Sequence, residues 1–144
     1  MTMHRNSLIG ILTGLFCLAT PVRAETFTIE KNDPRPFRIH GSPDETKATY
    51  AMMRELAAEV KRVTGVEVTV QGYAPAFEGD FYVSTQPWAA KGAWFVKLKN
   101  NIVAIHGSDP SGTLKALNAF VERCVKPATD KTIAIADVDL KEGP

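Results

Sequence analysis

From residue 25 onward the hydrophobic and polar positions follow two periods, two for strands and about 3.6 for helices, and the switches between them mark out the elements. Thr26 to Glu30 alternates, with Phe27 and Ile29 on one face, and predicts a first strand. Asn32-Asp33-Pro34-Arg35-Pro36 interrupts it, and Phe37 to His40 reads as a short continuation or an edge strand, where proline is tolerated. The helical period then takes over. Ser42 is a candidate N-cap with Pro43 at the first helical position, and Asp44 and Glu45 complement the helix dipole. Met52, Leu56, Val60 and Val63 recur at helical spacing, Met53 and Ala57 widen the stripe, and Gly65 suits a left-handed C-terminal residue.

Val66, Val68 and Val70 alternate with Glu67 and Thr69, so the chain passes from the helix into a half-buried strand. After a loop containing Gly72, Pro75 and Gly79, Phe81 and Val83 suggest another short strand, and a second loop, Thr85 to Gly92, carries Pro87 and Trp88. Trp94 to Leu98 and Ile102 to His106 are strand-like and should pair antiparallel, because Asn100-Asn101 between them tolerates the positive φ of a tight hairpin. Gly107-Ser108-Asp109-Pro110 then starts a second helix, with Leu114, Leu117, Val121 and Cys124 on one stripe and Ala116 and Phe120 flanking it, until Pro127 stops it. The last strand, around Thr132 to Val138, changes its apolar face from Ile133 and Ile135 to Val138 and Leu140, which predicts a bulge near Ala136 or Asp137. No internal repeat or low-complexity tract interrupts this order.

Two amphipathic helices and five to seven strands predict an α+β fold, a two-layer α/β sandwich with a mixed sheet and both helices on one face. The other face must then be polar or meet something. Lys97, Lys99, Glu67 and Thr69 at alternate positions fit a solvated face.

Residues 1–24 change the picture of what the mature chain is. His4 and Arg5 precede a mainly apolar run from Leu8 to Ala19, too short to span a bilayer and of the length a secretory leader uses. Pro21 and Val22-Arg23-Ala24 follow, so Glu25 is the expected mature start, 25–144 the single domain, and the periplasm or extracellular space its compartment. Phe16 before Cys17 argues against lipidation. Removing the leader takes Cys17 with it and leaves Cys124 as a lone thiol, either buried in the second helix's stripe or the link of a disulfide-bonded dimer. It also removes Arg5 and Arg23, leaving 15 basic against 16 acidic residues. That balance lacks the basic excess of a nucleic-acid-binding domain.

The residues carry a resemblance. Val63-Thr64-Gly65-Val66-Glu67-Val68, and the run Asn101-Ile102-Val103-Ala104-Ile105-His106-Gly107-Ser108-Asp109-Pro110-Ser111-Gly112-Thr113-Leu114-Lys115-Ala116-Leu117, resemble the non-catalytic α/β domain that precedes the barrel in bacterial β-N-acetylhexosaminidases and α-glucuronidases. There the first helix ends in Thr-Gly, and a Gly-x-x-x-x-Gly-Thr turn, here Gly107 to Thr113, leads into the second. The resemblance covers most of the mature chain and implies that fold and an association with polysaccharide processing. Catalytic carboxylates belong to the barrel, so it implies no catalytic residue here, with the domain expected to stand alone; no cofactor and no metal are expected from the residues themselves.

Candidate chemistry is sparse. The turn from Gly107 to Thr113, with Ser108, Asp109 and Thr113, presents N–H groups and hydroxyls to an anion such as a phosphate or uronate, or else caps the helix and packs it. Tyr73, Phe77, Tyr82, Trp88 and Trp94 concentrate aromatic surface mid-chain; Trp94 alternates into the core, and Trp88, in its loop, is the candidate platform for a sugar ring. His40 and His106 stand at strand ends, and His106 with Ser108 and Asp109 forms the one corner in which acid–base hydrolysis can be sought. Two separated histidines and one helical cysteine lack zinc-ligand spacing. The reading is a secreted non-catalytic module that binds a glycan or a glycoside-hydrolase partner, with neither nucleic acid nor, once the leader is removed, membrane as partner. A small hydrolase using the His106 corner and a structural protein-interaction module are the alternatives.

Overall fold

The computed structural model describes residues 25–72, 76, 79–136 and 139–142. Residues 1–24, expected to be a leader, and the aromatic candidates Tyr73 and Phe77 lie outside the described residues. The order is β1 (Thr26–Ile29), β2 (Phe37–Gly41), α1 (Lys47–Thr64), β3 (Val68–Gly72), β4 (Phe81–Thr85), β5 (Trp94–Lys99), β6 (Ile102–Gly107), α2 (Pro110–Phe120), β7 (Ile133–Ala136) and β8 (Asp139–Glu142). A π-helical turn, Val121–Val125, extends α2. No helix among the described residues is long and apolar enough to cross a membrane.

The fold is α+β. Six strands form a mixed sheet in the order β3-β2-β4-β6-β5-β8, parallel from β3 through β6 and antiparallel at β5 and β8; β1 and β7 form a separate antiparallel pair. Alternation along the strands puts Phe37, Ile39, Phe81, Val83, Val96, Val103 and Ile105 on one face, where Met53, Leu56 and Val60 of α1 and Ala116, Leu117 and Phe120 of α2 cover them in one continuous core. Phe27 meets Phe37 and Phe81 edge-on, and Phe81 meets Phe120 in the same way, so the small sheet closes the end of that core. The opposite face of the large sheet has no helix on it among the described residues, and that side carries the candidate site.

Three expectations shift, each for a local reason. The first helix begins at Lys47, not Pro43, because Thr46 caps it through Thr49 N at 3.1 Å, while Ser42 to Glu45 forms a turn. Glu45 is thereby freed to reach β4, where its carboxylate accepts from Thr85 N and Thr85 Oγ1, both at 2.7 Å. β2 is an inner strand, not an edge: Pro34 and Pro36 precede it, so no ladder N–H is missing. The expected terminal strand is two strands in different sheets, β7 on β1 and β8 on β5; Asp137 and Val138, where the apolar face is expected to change, lie outside the described residues. Gly65 closes α1 with φ 79°, and Asn100 and Asn101 make the hairpin with φ 52° and 55°, as their positions predict.

Candidate binding face

Cross-strand register decides which side chains meet on the helix-free face. One row runs Lys141, Phe95, His106 and Ser84 across β8, β5, β6 and β4. The next runs Lys97, Ala104, Tyr82, His40 and Gln71 across β5, β6, β4, β2 and β3. His106 is the hub. Its ring stacks on Phe95 at 4.8 Å with planes 9° apart, Tyr82 meets its edge at 5.6 Å, and Trp88 packs edge-on against Phe95 at 5.2 Å. Trp88 is 45% exposed, the exposed large hydrophobic among the described residues, and Lys97 Nζ lies 5.3 Å from the Phe95 ring centre. The result is a line of ring faces and edges, Trp88 to Phe95 to His106 to Tyr82, with a cation beside it.

His106 Nδ1 lies 2.9 Å from Ser84 Oγ, and burial among these rings pushes the imidazole pKa down from its ordinary value. The sign of the pH effect follows. Unfolded, the ring titrates near 6.5; folded, it titrates lower, so between the two values the unfolded chain holds the extra proton. The stability this neutral histidine contributes is full above about pH 6.5 and is lost as pH falls through the folded value. Urea unfolding at pH 7.5 and pH 5 should show a loss in the wild type that His106→Phe reduces, since phenylalanine keeps the stack without the titration. Equal losses in both proteins would put the pH dependence elsewhere.

The corner expected around His106 is not assembled. Ser108 Oγ donates to Ala90 O at 2.6 Å and Ala93 O at 3.1 Å. Asp109 caps α2, its carboxylate accepting from Gly112 N and Gly92 N, both at 2.8 Å. These N–H groups, Gly112 foremost, together with nearby Lys91, hold its pKa below the ordinary value against a burial effect of opposite sign. Thr113 Oγ1 is buried, 3.2 Å from Asp109 O and 2.6 Å from Thr85 Oγ1. The donors an anion would use at this helix start are therefore taken by the chain's own carboxylates, Asp109 on α2 and Glu45 on Thr85. Of the four residues singled out from sequence, Trp88 is open to a ligand and Ser108, Asp109 and Thr113 hold the turn together.

Three features of this face depend on pairings between distant segments. Phe95 and Ser84 join His106 only through register. Asp80, at the start of β4, is buried with His40 Nε2 2.8 Å from Oδ2 and Arg38 Nε 3.2 Å from Oδ1, although 40 and 42 residues separate the partners. Cys124 is half-buried against the core, which raises its thiol pKa, and no group of three metal-ligating side chains occurs among the described residues.

No family model and no curated protein sequence matches the chain. Solved structures do. A family GH20 exo-β-N-acetylglucosaminidase from Vibrio harveyi superposes with a TM-score of 0.57 at 15% identity, over 83% of this chain and 17% of the enzyme. A family GH115 4-O-methyl-α-glucuronidase gives 0.56 at 15% identity over 81% and 18%, and a β-N-acetylhexosaminidase from Bacteroides fragilis 0.55 at 8% identity over 82% and 21%. The fold is one that glycoside hydrolases carry. The resemblance read from the Thr-Gly helix end and the Gly107 turn thus holds at the level of architecture, and the chain spans about a fifth of the length of each enzyme. At such identities the likeness concerns the fold, and function has to be argued from the face itself.

Proposed function

We propose that this glycoside-hydrolase-related domain is an exported, non-catalytic module that binds a glycan on its helix-free sheet face. The observation that carries the reading is the continuous aromatic line from Trp88 through Phe95 and His106 to Tyr82. Sugar rings offer flat C–H faces to aromatic side chains, and a row whose Phe95, His106 and Tyr82 are carried by paired strands is ordered before the ligand arrives. Export rests on the leader pattern at 1–24. The hydrolase alternative loses ground because its three side chains are engaged separately, His106 with Ser84, Ser108 with backbone carbonyls and Asp109 with backbone N–H groups.

Trp88→Ala should weaken binding to soluble or insoluble polysaccharide roughly tenfold or more, since a truncated tryptophan anchor removes much of a site's affinity. Affinity electrophoresis and pull-down on a glycan panel read this directly, with circular dichroism checking that the variant stays folded. A wild-type protein that retains no glycan on such a panel would sink the reading.

A further inference from the structure

The outer half of the helix-free face is basic. Lys97 and Lys99 on β5 alternate with the core residues Val96 and Leu98, and Lys141 on β8 stands opposite Phe95 in register, so all three lysines project on the aromatic side. All three are exposed, and no ion pair engages them among the described residues. Asp139, opposite Lys97 in register, is the one acidic position in this strip, and Asp80 further in is buried against Arg38 and His40. In a chain whose acidic residues slightly outnumber its basic ones once residues 1–24 are removed, three exposed lysines beside the ring line are a segregated charge. Ala104 lies between Lys97 and Tyr82 across the ladder and is partly exposed.

We propose, resting on the glycan reading above, that the ligand class is an acidic polysaccharide whose rings lie along Trp88, Phe95 and Tyr82 over Ala104 and whose carboxylates meet Lys97, Lys99 and Lys141. Aromatic contacts supply affinity that is blind to charge, and the lysine strip selects the charged polymer over a neutral one of the same linkage. Screening by salt is the signature of the second contribution and not of the first.

The test uses the purified protein with polygalacturonate and its carboxyl-reduced, neutral counterpart, measured by calorimetry and affinity electrophoresis at low and high salt. Preference for the acid polymer that shrinks as salt rises is expected. Lys97→Gln with Lys141→Gln should weaken acid binding roughly five- to tenfold, the effect of two exposed ion pairs, and weaken neutral binding far less. Ala104→Leu, on the solvent side of the sheet, should weaken both. Equal binding of the two polymers overturns the acidic class while leaving the glycan reading standing; binding of neither, with no glycan retained on the wider panel, overturns both. Single-stranded DNA of matching charge bound as tightly as polygalacturonate would make the face a general polyanion surface and also overturn the proposal.

Discussion

Gly107→Ala is expected to lower folding stability by about 3 kcal/mol or more, the upper part of the range for forcing atoms into a packed site. Gly107 ends β6 directly beneath the first turn of α2. A Cβ there would stand 2.5 Å from Gly112 C and 2.5 Å from Thr113 Oγ1, and closer still to Thr113 N. Two of these three atoms are backbone, so no rotamer change relieves the contact. The helix start cannot easily retreat either. It is tied by Thr113 N to Asp109 O at 3.0 Å, by the Asp109 carboxylate to Gly112 and Gly92, and by Ser108 N to Ala93 O at 2.9 Å. Thermal unfolding should therefore show a midpoint lower by about 10 °C or more. Two controls separate backbone from side-chain crowding. Adding Thr113→Ala should not rescue Gly107→Ala, and Gly72→Ala, whose Cβ meets the movable Tyr50 Oη at 2.9 Å, should cost under about 1 kcal/mol. A Gly107→Ala protein as stable as wild type would mean that α2 can slide along the sheet. The same glycine matters for the proposed binding face, because β6 presents His106 on its other side; moving the strand end disturbs the contact of His106 with Ser84 and with the Phe95 ring.

The helices and the hairpin are legible in the sequence because their determinants are local. Gly65 after a helical stripe and Asn100-Asn101 between two alternating segments act within a few residues of themselves, and the structure places them as expected. What resists reading is set by partners far along the chain. Glu45 looks like a first-turn helix residue until Thr85, forty residues later, offers it two donors; the segment after Thr132 reads as one bulged strand until β7 and β8 are seen to pair in different sheets. The site divides in the same way. Trp88 is identifiable from its loop, and Ser108 and Asp109 from their helix-start pattern, although their hydroxyl and carboxylate turn inward to the chain. Phe95 is invisible as a site residue because periodicity assigns it only to the side opposite Trp94, and which residue of which strand it meets is a matter of register. Once β5 pairs with β6 as observed, the stack on His106 follows.

Asp80→Ala should cost about 1 to 3 kcal/mol, the penalty for leaving buried polar groups without their partner. The carboxylate and the His40 ring are each about 1% exposed and 2.8 Å apart, while Arg38, two residues before His40 on β2, is 29% exposed and holds the second oxygen at 3.2 Å. Without Asp80 the His40 Nε2 loses its partner in a place water reaches poorly, and Nδ1 already has none among the described residues. Asp80→Asn keeps the shape and one acceptor oxygen and should cost less than the alanine. His40→Ala deletes the other half and leaves the carboxylate to Arg38. If the two groups act as a pair, the double variant should be less destabilised than the two singles added together, by about 0.5 to 3 kcal/mol. Denaturant unfolding of the four proteins closes this cycle, and singles that simply add would show that Asp80 is held by Arg38 and the fold without His40. A strong coupling would also connect stability to binding. His40 stands beside Tyr82 in register and Asp80 begins the strand that carries Tyr82 and Ser84, so the pair fixes the inner end of the aromatic line. On the proposed glycan binding, a loss of affinity in the Asp80 variant, with Trp88 and the lysines intact, is then expected as a consequence of a displaced β4, and it should shrink in Asp80→Asn in proportion to the stability regained.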